Sequence, residues 1–239
     1  MEVKIKIIVT IWLLLVARTY AAISLHHYTF DGSDVIDSVG TANGTLWNGA
    51  SVASGRLNLD GVDDYVQFDE HIVPTTGSFS VAFFAQELSP KNTWTEIISQ
   101  GASMAPGFYV GYDPSHNFRI GDDLMSIGVP FPSDGLVHHY AVTAGTETCL
   151  YVDGSLIGTF GPIGMTTVGN HTRLGRQYEP FLEFFHGNVD ELWIFNGILT
   201  EGEVATLSTV PEPFSLGLAA VGTFMVIGRF AIARNQKKY

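Results

Sequence analysis

Residues 57–68 read LNLDGVDDYVQF. Leu57 and Leu59 share one face of a short extended run, and Val66 and Phe68 share one face of a second. Residues i and i+2 of a strand point the same way, so each run carries one apolar and one polar face. Between the runs stands Asp60-Gly61, a dipeptide that accepts the positive φ of a tight turn. The spacing predicts two antiparallel strands meeting at that turn. Outward from this stretch the pattern recurs. Short β-rich runs at 25–30, 79–87, 94–100, 107–112, 117–121 and 124–129 are separated by Gly, Asn, Asp or Pro. Residues 137–144 and 148–152 read as a hairpin around Gly145, 156–160 follows a second Asp-Gly turn, and 185–195 is the last long strand. Residues 34–49 read as turn-rich and irregular. One helix is predicted over 201–207, where Thr200 with Glu203 three residues on has the form of a capping box. Many short strands with almost no helical periodicity predict an all-β sandwich, a jelly roll of two antiparallel sheets.

At 239 residues the chain can hold one generous sandwich or two small domains. Its ends follow a different pattern. Residues 1–21 place Lys4 and Lys6 before an apolar run and finish in small residues, the order of a secretory signal peptide cut after Ala21. An N-terminal anchor helix is the rival reading, weakened by the short apolar run. At the other end Val210, Pro211, Glu212 and Pro213 precede an apolar stretch, which is followed by Arg229, Arg234, Lys237 and Lys238. Fifteen apolar residues at ~1.5 Å each reach ~22 Å, short of a hydrocarbon core of ~30 Å. Continuing over about 214–233 reaches ~30 Å and takes in Arg229, which can snorkel near a helix end. The expected organisation is a leader at 1–21, a folded domain at 22–209 and a tail at 210–239 carrying a single marginal transmembrane helix, with its basic end cytoplasmic. A plain membrane anchor and a lipid-anchor signal are the alternatives for the tail.

Without its ends the chain is strongly acidic. Residues 22–213 hold five Lys or Arg against twenty-three Asp or Glu, a net charge of −18. Phosphate backbones need clustered cations, so nucleic acid is excluded as a partner. What remains is solubility outside the cell or binding of cations. The lone Cys149 cannot form an internal disulfide and reads as a small buried residue in the run TCLYV.

The motifs HYTFDG, LNLDGVDDYVQF, FSVAFFAQ, DGLVHHYAVT, LYVDGSLIG, RLGRQ and FHGNVDELWIFNGILTEGEVATL occur in that order between residues 24 and 207. This succession resembles laminin-G-like domains of the concanavalin A-like lectin/glucanase superfamily. One departure is Val137, where the family usually has Trp before the paired histidines. The resemblance implies a concanavalin A-like jelly roll. It also implies a calcium ion joining the first and last strands, which here would use Asp31 and Asp190 with carbonyl and water oxygens. The tail resembles a PEP-CTERM sorting signal, on Val210, Pro211, Glu212, Pro213, the apolar helix and Arg229. That likeness implies recognition and removal by an exosortase-type membrane protease.

Because the superfamily includes glucanases, catalysis is the first chemistry to weigh. A retaining glycosidase needs two carboxylates about 5–5.5 Å apart. On a regular strand Asp190 and Glu191, being adjacent, point to opposite faces, and the same holds for Asp63-Asp64 and Asp122-Asp123. No G-x-S-x-G, HExxH or phosphate-binding Gly loop is present. His138-His139 should likewise separate, one as a core histidine with a satisfied hydrogen bond and one exposed. A glycan-binding face would use aromatic residues on loops. Trp47 and Trp94 lie beside strand-like runs and read as core, and Tyr112 is a further candidate. Tyr178 and Phe181, in RQYEPFLEFF between two strands, are better placed for exposure and are the ligand-contact candidates. The leading expectation is an exported, non-enzymatic binding module for carbohydrate or exopolysaccharide, tethered by its tail and then released to the cell surface or matrix. A protein-adhesion or structural matrix component stands second, and a divergent glycan hydrolase or lyase third.

Overall fold

The computed structural model describes residues 21–102, 107–165, 167–169, 171–178 and 180–209. Apart from Ala21, the expected leader and the whole VPEP tail lie outside these residues. Among the described residues no helix is long and apolar enough to cross a membrane.

In chain order the strands are β1 (Ile23–Tyr28), β2 (Thr45–Trp47), β3 (Ser51–Ala53), β4 (Arg56–Asp60), β5 (Tyr65–Phe68), β6 (Phe79–Glu87) and β7 (Thr95–Gln100). They continue as β8 (Phe108–Tyr112), β9 (Phe118–Ile120), β10 (Val137–Ala144), β11 (Thr148–Val152), β12 (Ser155–Phe160), β13 (Thr172–Leu174) and β14 (His186–Asn196), and the helix α1 (Glu201–Leu207) follows. An eight-stranded sheet runs β12-β11-β10-β6-β14-β4-β3, with β1 also on β14, and a six-stranded sheet runs β2-β5-β13-β7-β8-β9. Every strand pair is antiparallel.

The two halves of the opening stretch do not pair with each other, which corrects the expected hairpin. β4 pairs with β3 and β14 in one sheet, while β5 pairs with β2 and β13 in the other. Leu57, Leu59, Val66 and Phe68 still point into one core, but from opposite walls of the sandwich. Alternation says which face is buried and is silent on whether the next strand lies beside it or across the core. The crossing is built by two carboxylates. Asp60 Oδ1 accepts the N–H groups of Val62, Asp63 and Asp64 at 2.7, 3.3 and 3.4 Å. Asp64 Oδ2 accepts the Asp60 N–H at 3.0 Å, and its Oδ1 accepts that of Gly49 at 2.6 Å. Gly61 takes φ 71°, and a Cβ there would stand 2.5 Å from His186 Cβ.

β14 organises the larger sheet. Its first half pairs with β4 and its second half with β1 along the same edge, while β6 runs along the other. The register slips between Asp190 and Trp193, with Glu191 at φ 48°. A bulge adds one residue and resets the in–out phase. Val189 and Leu192 therefore both face the core, and Asp190 and Glu191 both face outward. The regular-strand expectation of opposite faces fails here because the strand is bulged. For Asp63-Asp64 and Asp122-Asp123 its premise does not hold, because neither pair is on a strand: the first lies in the crossing turn and the second in a short 3-10 turn. The strand expected over 124–129 is also absent. Gly128 at φ 68° and Pro130, which has no N–H, reduce that run to single hydrogen bonds on β9 and its flanks.

Outside the larger sheet, Phe84, Ala141, Tyr151, Trp193 and Phe195 form a second apolar cluster with Leu199 and Val204 of the C-terminal helical segment. The capping box forms as predicted, with the Glu203 N–H donated to Thr200 Oγ1 and the Thr200 N–H donated to Glu203 Oε2 at 2.8 Å. Cys149 is half-buried against this cluster. α1 thus packs on the outer face of the eight-stranded sheet, and the connection between β13 and β14 lies over that of the six-stranded sheet.

Candidate functional site: the outer face of the six-stranded sheet

Alternation on the smaller sheet sends Val66, Phe68, Ile98, Phe108, Val110, Phe118, Ile120 and Leu174 into the core. Tyr65, Gln67, Glu96, Ser99, Tyr109, Arg119 and Arg173 consequently stand on its outer face. Arg119, buried in the middle of β9, holds one end of this face together. Its guanidinium lies 4.4 Å from the ring centroids of both Trp94 and Tyr109. One of its nitrogens, Nη1, donates to Glu96 at 2.8 Å and to Glu183 at 2.7 Å. Gln177, with its amide turned to donate, reaches Glu96 Oε1 at 3.1 Å and Glu183 Oε2 at 2.8 Å. Gly111 lies opposite Glu96 in the ladder, and a Cβ there would stand 2.7 Å from Glu96 Oε2. The absent side chain makes room for the carboxyl. Burial pushes Glu96 well above the usual carboxylate range, against the pull of Arg119, and the nearby carboxylates of Glu183 and Asp122 push the same way.

Asp122 fastens the covering connection. It accepts from the Gly107 N–H at 2.8 Å and from the hydroxyls of Tyr109 and Tyr178, both at 3.1 Å. Arg176 donates to the carbonyls of Gln177 and Phe181, each at 3.1 Å, and its guanidinium lies 4.9 Å from the Tyr65 ring centroid and 5.2 Å from that of Phe184. Lys91 Nζ donates to the carbonyls of Phe184 and Gly61. At the other end of the face Trp47 lies opposite Tyr65 in the ladder, the two rings stacked with 3° between planes and 5.8 Å between centroids. Arg173 donates to Gln67 Oε1 at 3.3 Å and lies 5.9 Å from the Tyr65 centroid.

The exposed aromatic surface differs from the expected one. Tyr178 is 3% exposed and acts as a tie to Asp122, while Phe181 is 40% exposed with its ring edge-on to Tyr178. Trp47 and Trp94, expected in the core, are 43% and 37% exposed. Both sit beside strands, as their sequence position suggested, but on the side away from the core. Tyr112 is fully buried.

The remaining candidates lie elsewhere. Asp190 is buried in a shallow cleft on the outer face of the eight-stranded sheet, lined also by Arg56, Phe84, Gln86, Val137 and Asn188. Asp31 is exposed just past β1 and is not part of that lining. Calcium takes six to eight oxygens, and the Asp190 cleft brings the Arg56 guanidinium in place of the Asp31 carboxylate. Asp60, Asp63 and Asp64 bring carboxylate oxygens within 4.8 Å of one another, a grouping that sequence reading missed. Oxygens of Asp60 and Asp64 already cap the N–H groups of the crossing turn. His138 and His139 do separate. His138 lies between Asp153 at 2.8 Å and Asp134 at 3.1 Å, and His139 is buried edge-on to Phe84. Contrary to expectation, neither ring nitrogen of His139 makes a hydrogen bond among the described residues.

Glu96, Arg119 and Glu183 went unrecognised in the sequence because they come from three separate segments. The available signal was a charged residue inside each of two short apolar strands, TEIISQ and FRI.

Comparison with known proteins places this geometry in context. The laminin G family profile described as concanavalin A-like lectin/glucanases superfamily matches residues 60–205. No curated protein matches the chain. Among solved structures it is similar to domain 4 of AbnA, a GH43 extracellular arabinanase from Geobacillus stearothermophilus in complex with arabinotriose. That likeness has a TM-score of 0.62 and 20% identity over 80% of this chain and 100% of that one. It is also similar to a botulinum neurotoxin type C structure whose cell entry depends on two ganglioside molecules, with a TM-score of 0.60 and 15% identity over 77% of this chain and 50% of that one. A third is Trypanosoma rangeli sialidase in complex with sialic acid, with a TM-score of 0.58 and 15% identity over 77% of this chain and 32% of that one. The chain thus spans the whole of the arabinanase domain but half or less of the other two. At these identities the likeness is one of fold. With a profile match across most of its two-sheet sandwich, the chain belongs to the concanavalin A-like lectin/glucanases superfamily.

Proposed function

We propose that this protein is a non-enzymatic binding module that takes carbohydrate on the outer face of its six-stranded sheet. The observation that carries the reading is the Trp47–Tyr65 stack. Two parallel rings, one of them 43% exposed, form a rigid platform at one end of the face, with the exposed Trp94 at the other end and Phe181 on the covering connection. An aromatic face carries negative quadrupole density, which attracts the partly positive C–H groups of a sugar ring. Rings already held by neighbours lose little entropy on binding. Arabinotriose in the structure of the arabinanase domain, which this chain spans in full, supports the ligand class. The leader-like sequence at 1–21 and the order Val210–Pro213, apolar stretch, Arg229 in the sequence support export, membrane tethering through the tail and transfer by an exosortase-type protease to the cell surface or matrix.

The test is calorimetric titration of residues 22–209 with soluble polysaccharides and arabino-oligosaccharides, in wild type and Trp47→Ala. The expected result is binding that weakens at least tenfold in the variant at unchanged Tm. Equal binding by the two proteins would overturn the placement of the site. Intact mass of the released protein, ending near residue 210, tests the sorting half of the reading.

A further inference from the structure

We infer that the ligand is an uncharged polysaccharide, and that this face discriminates against uronic-acid and sialic-acid chains. The inference rests on the binding reading above and narrows it. Recognition of a carboxylated sugar requires a cation that the ligand can reach, usually a guanidinium with its fork turned toward the carboxylate. Residues 22–213 contain five Lys and Arg. Four of them, Lys91, Arg119, Arg173 and Arg176, lie on or beside the proposed face, which at first suggests an anion site. Their exposure and partners argue the reverse.

Arg119, Arg173 and Arg176 are 3%, 7% and 5% exposed. Arg119 is engaged by two carboxylates, Glu96 and Glu183. Arg176 donates to two backbone carbonyls and lies against two rings, and Arg173 is held by Gln67 beside Tyr65. Lys91 is turned into the carbonyls of Phe184 and Gly61. Arg119, Arg176 and Lys91 tie the covering connection down, and Arg119 and Arg176 lie against the rings of Trp94 and Tyr65. The fifth, Arg56, lines the cleft on the opposite sheet.

The rings left open on the face are those of Trp47, Trp94 and Phe181, with Tyr65 and Gln67 half-exposed, and the carboxylates at its rim among the described residues are Asp69, which accepts from Gln67 and faces His171, and the partly exposed Glu183. Around them residues 22–213 carry a net charge of −18. A polyanion would approach against that field and meet no accessible counter-charge, whereas a neutral chain loses nothing to the field and can stack its C–H faces on the rings. Screening sets a further signature. With a Debye length of ~8 Å at physiological salt, an interaction carried by charge weakens or strengthens with ionic strength, and one carried by stacking does not.

The experiment is affinity electrophoresis and calorimetry of residues 22–209 against neutral polymers (arabinan, mixed-linkage glucan, galactomannan) and anionic ones (polygalacturonate, alginate, hyaluronan). Each is run at low and moderate salt, with wild type, Trp47→Ala and Trp47→Phe. The expected result is binding to at least one neutral polymer, weakened at least tenfold by Trp47→Ala, partly restored by Trp47→Phe, and altered less than twofold by salt. Anionic polymers should bind at least tenfold more weakly than that neutral one. A Trp47-dependent preference for an anionic polymer, weakened by salt, would overturn this inference and leave the carbohydrate-binding face standing. Binding indifferent to both Trp47 variants, or no binding to any polymer, would overturn the face itself and the inference with it. Thermal melting of each variant separates loss of a contact from loss of the fold.

Discussion

Glu96 on β7 and Glu183 in the connection before β14 meet on the same nitrogen of Arg119, at 2.8 and 2.7 Å. One guanidinium thus joins the sheet to the segment that covers it. Removing the guanidinium leaves the Glu96 carboxyl and the partly exposed Glu183 carboxylate without their shared donor, which costs about 1–3 kcal/mol, the scale of buried groups left unsatisfied. Arg119→Ala should lower the free energy of unfolding by that amount in a urea titration. Arg119→Lys should recover only part of it, because an ammonium offers no planar surface to Trp94 and Tyr109. Glu183→Gln, at the more solvated end of the bridge, should cost less than Arg119→Ala.

The same cluster carries a pH signature. Burial first, and then the charges of Glu183 and Asp122, raise Glu96 above its unfolded value, while Arg119 opposes them. A carboxyl whose folded pKa is raised contributes stability that is fully present below the unfolded pKa. That contribution is lost as pH rises through the folded pKa, because the unfolded chain then releases a proton that the folded chain retains. Glu96→Gln removes the titration. The stability of the variant relative to wild type should therefore climb as pH rises above about 4.3, the unfolded value for Glu. Urea midpoints measured across pH 4–8 check this, and a flat difference would mean that Glu96 is not held protonated by its surroundings.

At the crossing between sheets, Asp60 and Asp64 hold five backbone N–H groups between them. Asp60→Ala should cost about 1–2 kcal/mol, the scale of a lost capping residue. Asp64→Ala should cost more, because Asp64 is buried and the N–H groups it leaves lie out of reach of water. Gly61→Ala combines a positive φ with a Cβ 2.5 Å from His186 Cβ, and should destabilise at least as much as Asp60→Ala. Chemical denaturation of the three variants ranks them.

That turn also marks how far the sequence could be read. The buried faces of β4 and β5 were legible, because alternation reports burial directly. Their partners were not, since a hairpin and an arch bury the same Leu57, Leu59, Val66 and Phe68. The helix cap was legible because Thr200 and Glu203 are three residues apart and the contact is local. The bulge at Glu191 was not, because it is imposed by the register of β6 on one side and of β1 and β4 on the other. The candidate face was the least legible. Trp47 and Trp94 read as core because sequence places them beside strands without saying which side they take. Tyr178 read as exposed because its loop position carries no trace of Asp122, the residue that draws it under.

The paired histidines on β10 give an acid-limb prediction. His139 is buried beside Phe84 with neither ring nitrogen hydrogen-bonded among the described residues, and burial pushes its pKa down to about 4 against the weaker pull of Asp153. A histidine with a lowered folded pKa contributes stability that is present above its unfolded value of about 6.5 and is lost as pH falls through the folded value. Two to three pH units at about 1.4 kcal/mol each set the loss at roughly 3 kcal/mol between pH 6.5 and 4. His138 works with the opposite sign. Although burial lowers it, the hydrogen bonds and charges of Asp153 and Asp134 raise it overall, so its contribution is present below the unfolded value and fades as pH rises. His139→Met should therefore flatten the acid limb of a stability–pH profile, and His138→Gln should flatten the limb above pH 6.5. Equal slopes in His139→Met and wild type between pH 6.5 and 4 would show that water reaches the His139 ring.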